Sequence, residues 1–150
     1  MDDNSYYPAQ KDTIALDQRV IKSKVWLSLN GTAKDIYLIL LTRRKMVNLS
    51  KRKGKNQWVC TNSKEIVFTY RDAENNFGIS QTRFNRGIDA LIKAGFIYIV
   101  QHGALLHIVT KYGLTDRWKK YGTPGYIENK RPKMNIKRGF IKPKNKNSIQ

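Results

Sequence analysis

The side chains best suited to selective recognition lie between Ser80 and Gly95, where Gln81, Thr82, Arg83, Asn85 and Arg86 follow one another within two helical turns. A Gln or Asn amide presents a donor and an acceptor side by side, and an Arg guanidinium presents a fork of donors. Each can therefore form two hydrogen bonds to one planar partner. A second chemistry, capture of polyanions, is offered by Arg43, Arg44, Lys45, Lys51, Arg52, Lys53 and Lys55, a run with no acid in it. The whole chain is biased the same way: 29 Lys and Arg stand against 11 Asp and Glu, giving a net charge of +18. Such a charge draws polyanions, and counterion release makes their binding tight and salt-sensitive. Nucleic acid is the first candidate and an anionic membrane surface the second.

Other chemistries find no residues to carry them. Cys60 is the single cysteine and lies far from His102 and His107, so neither a disulfide framework nor a standard structural zinc site is expected, and Cys60 reads as a partly buried thiol. Gly54-Lys55 lacks the first glycine and the Ser or Thr of a phosphate-binding loop. Glu65, Asp72, Glu74 and Asp89 suit capping and surface pairing, so no metal, no cofactor and no catalysis are expected. No apolar run approaches the ~20 residues needed to cross a bilayer, and the polar, acidic start MDDNSYYPAQKD is unlike a signal peptide. The expectation is a soluble protein without a membrane partner, in a bacterial cytoplasm or nucleoid.

With 150 residues and 40% hydrophobic content, the chain suits one domain with tails. Residues 1–24 carry little periodicity and read as a flexible arm. The domain is expected over residues 25–122, and 123–150 as a disordered basic tail, with eight Lys or Arg and one acid from Glu128 onward. Within the domain, Asn30-Gly31 signals a turn. Thr32 with Asp35 suggests a capping box for a first helix over about 32–46, closed by Arg43, Arg44 and Lys45. Residues 48–56 read as a loop, and Trp58–Cys60 and Ile66–Phe68 as short strands or irregular structure. Thr69 with Asp72 repeats the capping pattern for a helix over about 70–76, with Tyr70, Ala73 and Phe77 inward and Gly78 ending it. Ser80 is an N-cap candidate for a longer helix over about 81–94, closed by Gly95. On that helix Phe84, Ile88, Leu91 and Ile92 share one arc, while Thr82, Arg86, Asp89 and Lys93 share the opposite one, with Arg83 and Asn85 at its margins. Gly87 is costly mid-helix, and close approach of another backbone is sufficient reason for it. Two β-rich runs, 96–100 and 105–109, with a turn holding His102 and Gly103, predict a hairpin, and Thr115–Tyr121 a short amphipathic piece. The tryptophans and tyrosines fall among apolar positions and read as core rather than as a platform for stacked bases.

Helix, short helix, Gly turn, longer helix and hairpin is the order of a winged helix-turn-helix in the α+β class. The stretch resembles a winged-helix group of phages, plasmids and integrated elements, whose members act as replication initiators, replisome organisers or small regulators. The resemblance rests on Phe68-Thr69-Tyr70, on Gly78-Ile79-Ser80, on Phe84 with Arg86-Gly87-Ile88-Asp89 and Leu91, and on Gly95-Phe96-Ile97. Tyr112-Gly113-Leu114-Thr115 with Trp118 and Tyr121-Gly122 resembles the segment that follows the hairpin there.

The resemblance implies binding of double-stranded DNA in replication or transcription control. In such a unit the long helix meets base edges in the major groove with its N-terminal residues. Gln81, Thr82, Arg83, Asn85 and Arg86, with Lys93, are thus the expected contacts, Arg to guanine and Asn or Gln to adenine. His102 is expected to support them from the hairpin turn, and Arg43, Arg44, Lys51, Arg52, Lys53 and Lys55 to hold phosphates. A two-fold symmetric target would make the protein a homodimer, and a replication or transcription protein is a further expected partner. The competing expectation is a non-specific RNA- or DNA-binding adaptor, for which the charge would matter and the helix face would not.

Overall fold

The computed structural model describes residues 13–103 and 108–133. It is a mixed α+β fold with two small antiparallel sheets. Short helices α1 (Gln18–Lys22) and α2 (Lys24–Ser28) come first. Asp17 caps α1 by accepting from the Arg19 amide at 2.8 Å, and Val20 is buried. The arm expected over 1–24 is therefore ordered from Asp17 onward. One buried side chain in a five-residue helix leaves no periodic trace to read.

Helix α3 (Gly31–Thr42) begins one residue earlier than expected, because Asn30 and not Thr32 is its cap, its Oδ1 accepting from the Ala33 amide at 2.8 Å. It also ends before Arg43. Asn62 holds the exit: its Nδ2 donates to the Arg43 carbonyl at 2.9 Å and its Oδ1 accepts from the Lys45 amide at 2.6 Å. Met46 thus leaves the helix for strand β1 (Met46–Asn48), which pairs with β2 (Trp58–Cys60) in register Met46 to Cys60. The expected loop is the connection of this hairpin.

Helix α4 (Tyr70–Phe77) is capped by Thr69, which accepts from the Asp72 amide at 3.1 Å, and it ends at Gly78 with φ 62°. Only Ala73 on it is buried. Tyr70 and Phe77, expected inward, are 42% and 47% exposed, since so short a helix turns a single residue to the core. Helix α5 (Gln81–Ala94) has the expected bounds, and Phe84, Ile88, Leu91 and Ile92 are buried on its inner face. It lies close against α3. A Cβ added at Gly87 would stand 2.5 Å from Ile36 Cδ1 and 3.5 Å from the Ala33 backbone, so the close approach anticipated for Gly87 is present.

The second sheet runs β3 (Ile66–Val67), β5 (Lys111–Leu114), β4 (Ile97–Gln101), with β5 in the middle. The second hairpin strand therefore lies later than the expected 105–109. Residues 104–107 fall outside the described residues, and 108–110 form no strand. Tyr112 explains the later register. It is buried between Ile66 and Ile99, while neighbouring Gly113 leaves room for the Tyr98 ring, which a Cβ would strike. A 3₁₀ turn over Arg117–Lys120 then returns Trp118 to the core, its ring stacked on Phe96 at 5.7 Å and 10°. Trp26 and Tyr37 complete this aromatic centre around Phe96, at 5.8 and 5.1 Å from it. Trp26, Tyr37, Tyr112 and Trp118 are core, as their apolar neighbours suggested, whereas Trp58, Tyr98 and Tyr126 are half-buried and Tyr70 and Tyr121 are exposed.

Candidate nucleic-acid interface

Two surfaces gather the residues singled out by sequence. The first is the outer face of α5. Gln81, Thr82 and Arg86 are exposed on its first two turns. Ser80 has the extended backbone of an N-cap, yet its hydroxyl makes no capping hydrogen bond, so the leading amides of α5 have no side-chain acceptor from it. Arg83 turns toward α3, its Nη2 donating to Thr32 Oγ1 at 3.0 Å. Thr32, expected as a cap, is instead the acceptor for this arginine.

Further along α5 the chain covers its own face. After the 3₁₀ turn, residues 123–133 run back along the helix from its C-terminal end toward its middle. Tyr126 Oη donates to the Lys93 carbonyl at 2.6 Å, Lys93 Nζ meets Glu128 at 3.6 Å, and Arg131 Nε meets Asp89 at 2.8 Å. Arg131 also donates to Asn85 twice, from Nη1 to Oδ1 at 3.3 Å and from Nη2 to the main-chain oxygen at 3.1 Å. Asn85 is half-buried as a result. The tail expected to be disordered from 123 is thus part of the fold through 133; residues 134–150 fall outside the described residues. Tyr126 is anchored on its other side by Tyr121 at 5.2 Å and by the Arg117 guanidinium at 5.5 Å, and burial pushes its phenol pKa upward. No periodicity announces this strap, because it has no regular secondary structure. The sequence signal that could have found it is Tyr126, an aromatic residue in an otherwise polar stretch.

The second surface is the β1–β2 hairpin. Lys51, Arg52, Lys53 and Lys55 are exposed on its connection, which turns at Gly54 with φ 88°, and none forms an ion pair among the described residues. Arg43 and Arg44 behave differently. Arg43 donates to the Val67 carbonyl at 3.0 Å, meets Asp72 at 3.3 Å and lies over the Phe68 ring at 4.8 Å; Arg44 donates to the Ala15 carbonyl at 2.9 Å. Both are engaged in holding elements together. His102 is half-buried, and its Nε2 is shielded and meets no hydrogen-bond partner among the described residues.

The charge balance follows from these pairings. Among the described residues Asp17, Glu65, Asp72, Asp89, Asp116 and Glu128 are each paired with a Lys or Arg, while Lys51, Arg52, Lys53 and Lys55 are exposed and unpaired. Arg19 beside Asp17 holds that carboxyl below its ordinary pKa, chiefly through the side-chain hydrogen bond. Among the described residues there is no cluster of metal-binding side chains, and no helix is long and apolar enough to cross a membrane. Comparison of the chain with protein-family models, with curated proteins and with solved structures gives no match.

Proposed function

We propose that this protein binds double-stranded DNA as a winged helix-turn-helix, with α4, the Gly78 turn and α5 as the reading unit and the β4–β5 connection as the wing. The observation that carries the reading is the outer face of α5 at its start. Gln81, Thr82 and Arg86 stand exposed there, on a helix whose inner face is locked to α3 through Gly87. A rigidly held helix whose free N-terminal side chains include a Gln and an Arg able to form paired hydrogen bonds suits insertion into a major groove. Its leading amides favour a phosphate at the groove edge. Lys51, Arg52, Lys53 and Lys55 supply sequence-independent grip. The role would be replication or transcription control in a phage, plasmid or mobile element.

The unpaired cations of the hairpin favour a second reading, a non-specific nucleic-acid adaptor in which charge alone binds. Both readings meet one test: selection of a random-sequence duplex pool by the intact chain at two salt concentrations, with sequencing of the retained DNA. An enriched motif that persists at the higher salt supports the reading helix. Retention without a motif, lost as salt rises, supports the adaptor. Preference for structured RNA over duplex would overturn the DNA proposal.

A further inference from the structure

We infer that Arg131 decides which bases α5 reads, by withdrawing Asn85 from the reading set. The inference rests on the proposal that duplex DNA is the ligand of α5. An asparagine reads adenine by using both halves of its amide at once, Oδ1 accepting from the exocyclic amine while Nδ2 donates to the ring nitrogen. In this fold the acceptor half is engaged. Arg131 Nη1 donates to Asn85 Oδ1 at 3.3 Å, and its Nη2 donates to the Asn85 carbonyl at 3.1 Å. The third arm of the same fork meets Asp89 at 2.8 Å. One guanidinium therefore joins three acceptors on a single helix face, and it also neutralises the carboxylate there that would repel phosphate.

Arg131 is not carried on a loose end. The strap that delivers it is fixed at Tyr126 by the 2.6 Å hydrogen bond to the Lys93 carbonyl and at Ile127 by the Arg117 guanidinium, 2.5 Å from the Ile127 carbonyl. An α-helix with its side chains is about 10–12 Å across, against a major groove about 12 Å wide, so a second backbone does not fit beside it at the groove floor. With the strap in place, α5 enters by its first two turns. Gln81, Thr82 and Arg86 read, while Asn85 stays under Arg131 at the rim. Arg131 is thus a positioning residue that need touch no base.

Selection from the random duplex pool tests this with four full-length proteins: native, Asn85→Ala, Arg131→Ala and the double variant, each checked for an unchanged thermal transition. The native chain and Asn85→Ala should enrich the same motif. Arg131→Ala should add one position preferring adenine by about five- to a hundredfold, the range of a paired amide contact, and the double variant should lose it again. Arg131→Lys, which keeps the charge but not the fork, should behave as Arg131→Ala. If Asn85→Ala erases a position from the native motif, the strap moves aside for DNA and the inference is overturned. An unchanged motif in Arg131→Ala overturns it as well. Failure of the native chain to enrich any motif would instead remove the DNA-reading proposal, and this inference with it.

Discussion

The Trp118 amide donates to the Gly95 carbonyl at 3.1 Å, and the same amide nitrogen stands 2.9 Å from where a Cβ on Gly95 would be. The end of α5 and the 3₁₀ turn are therefore pressed together through a residue that has no side chain. Gly95 also has φ 82°, the left-handed region. Gly95→Ala should cost the ~1 kcal/mol of that conformation plus the displacement of backbone at Trp118 and Arg117, for about 2–4 kcal/mol in all. Gly78→Ala, at φ 62° in open space, should cost only the first part, about 1 kcal/mol. Urea unfolding of the two variants compares them directly; equal losses would remove the close approach as a cause.

Arg43→Ala separates a structural arginine from a phosphate contact. It deletes the hydrogen bond to the Val67 carbonyl, the ion pair with Asp72 and the cation over Phe68. A stability loss of about 1–2 kcal/mol is expected, with duplex affinity of the folded protein nearly unchanged. A large fall in affinity with no fall in the thermal midpoint would return Arg43 to the DNA-binding set.

How far the sequence could be read is visible in these same residues. The bounds of α5 and its buried arc followed from periodicity, because a fourteen-residue amphipathic helix ended by glycine carries its own signal. The use of Arg43 did not follow, since its partners are the Val67 carbonyl and Asp72, remote in sequence and on other elements. The exit of Met46 into a strand depends in the same way on Asn62 and on pairing with Cys60. Of the candidate contacts, Gln81, Thr82, Arg83, Arg86, Lys93 and the basic residues of the hairpin stand exposed as expected. Asn85 and Lys93 are met by a segment whose docking leaves no repeat in its sequence.

Removing hairpin charge and removing a reader should leave different signatures. Replacing Lys51, Arg52, Lys53 and Lys55 by Gln should weaken all duplexes alike and flatten the salt dependence by about 0.9 for each phosphate no longer neutralised. Arg86→Ala should weaken the selected site by about 1–3 kcal/mol more than random DNA. Titrations of both duplexes at several salt concentrations measure the two effects; an equal fall on both for Arg86→Ala would make it a phosphate contact.

Tyr37 and Tyr112 provide a pH dependence. Burial pushes both phenols up to about 12 from an ordinary 10.0. Each folded pKa lies above the unfolded one, so the stabilisation is complete below pH 10 and is lost as pH rises toward 12. The loss is about 1.4 kcal/mol per pH unit for each tyrosine in that window. Urea unfolding at about pH 9 and about pH 11, either side of the ordinary phenol pKa, should show it, and Tyr37→Phe should remove about half of the slope. An unchanged slope in that variant would assign the alkaline loss to other groups.

The middle position of β5 has a consequence for how the chain reaches this fold. β3 and β4 never touch each other through hydrogen bonds; each is joined only to β5, the last strand in the described sequence. Until Lys111–Leu114 arrives, both are strands without a neighbour. β4 meets β5 across a short connection, whereas the pairing of β3 with β5 must close the long loop from Ile66 to Tyr112, a non-local step of the kind that slows folding. The sheet cannot be completed before Leu114 is in place. A chain cut short of Leu114 would present two bare strand edges to whatever lies nearby, another unfinished copy included.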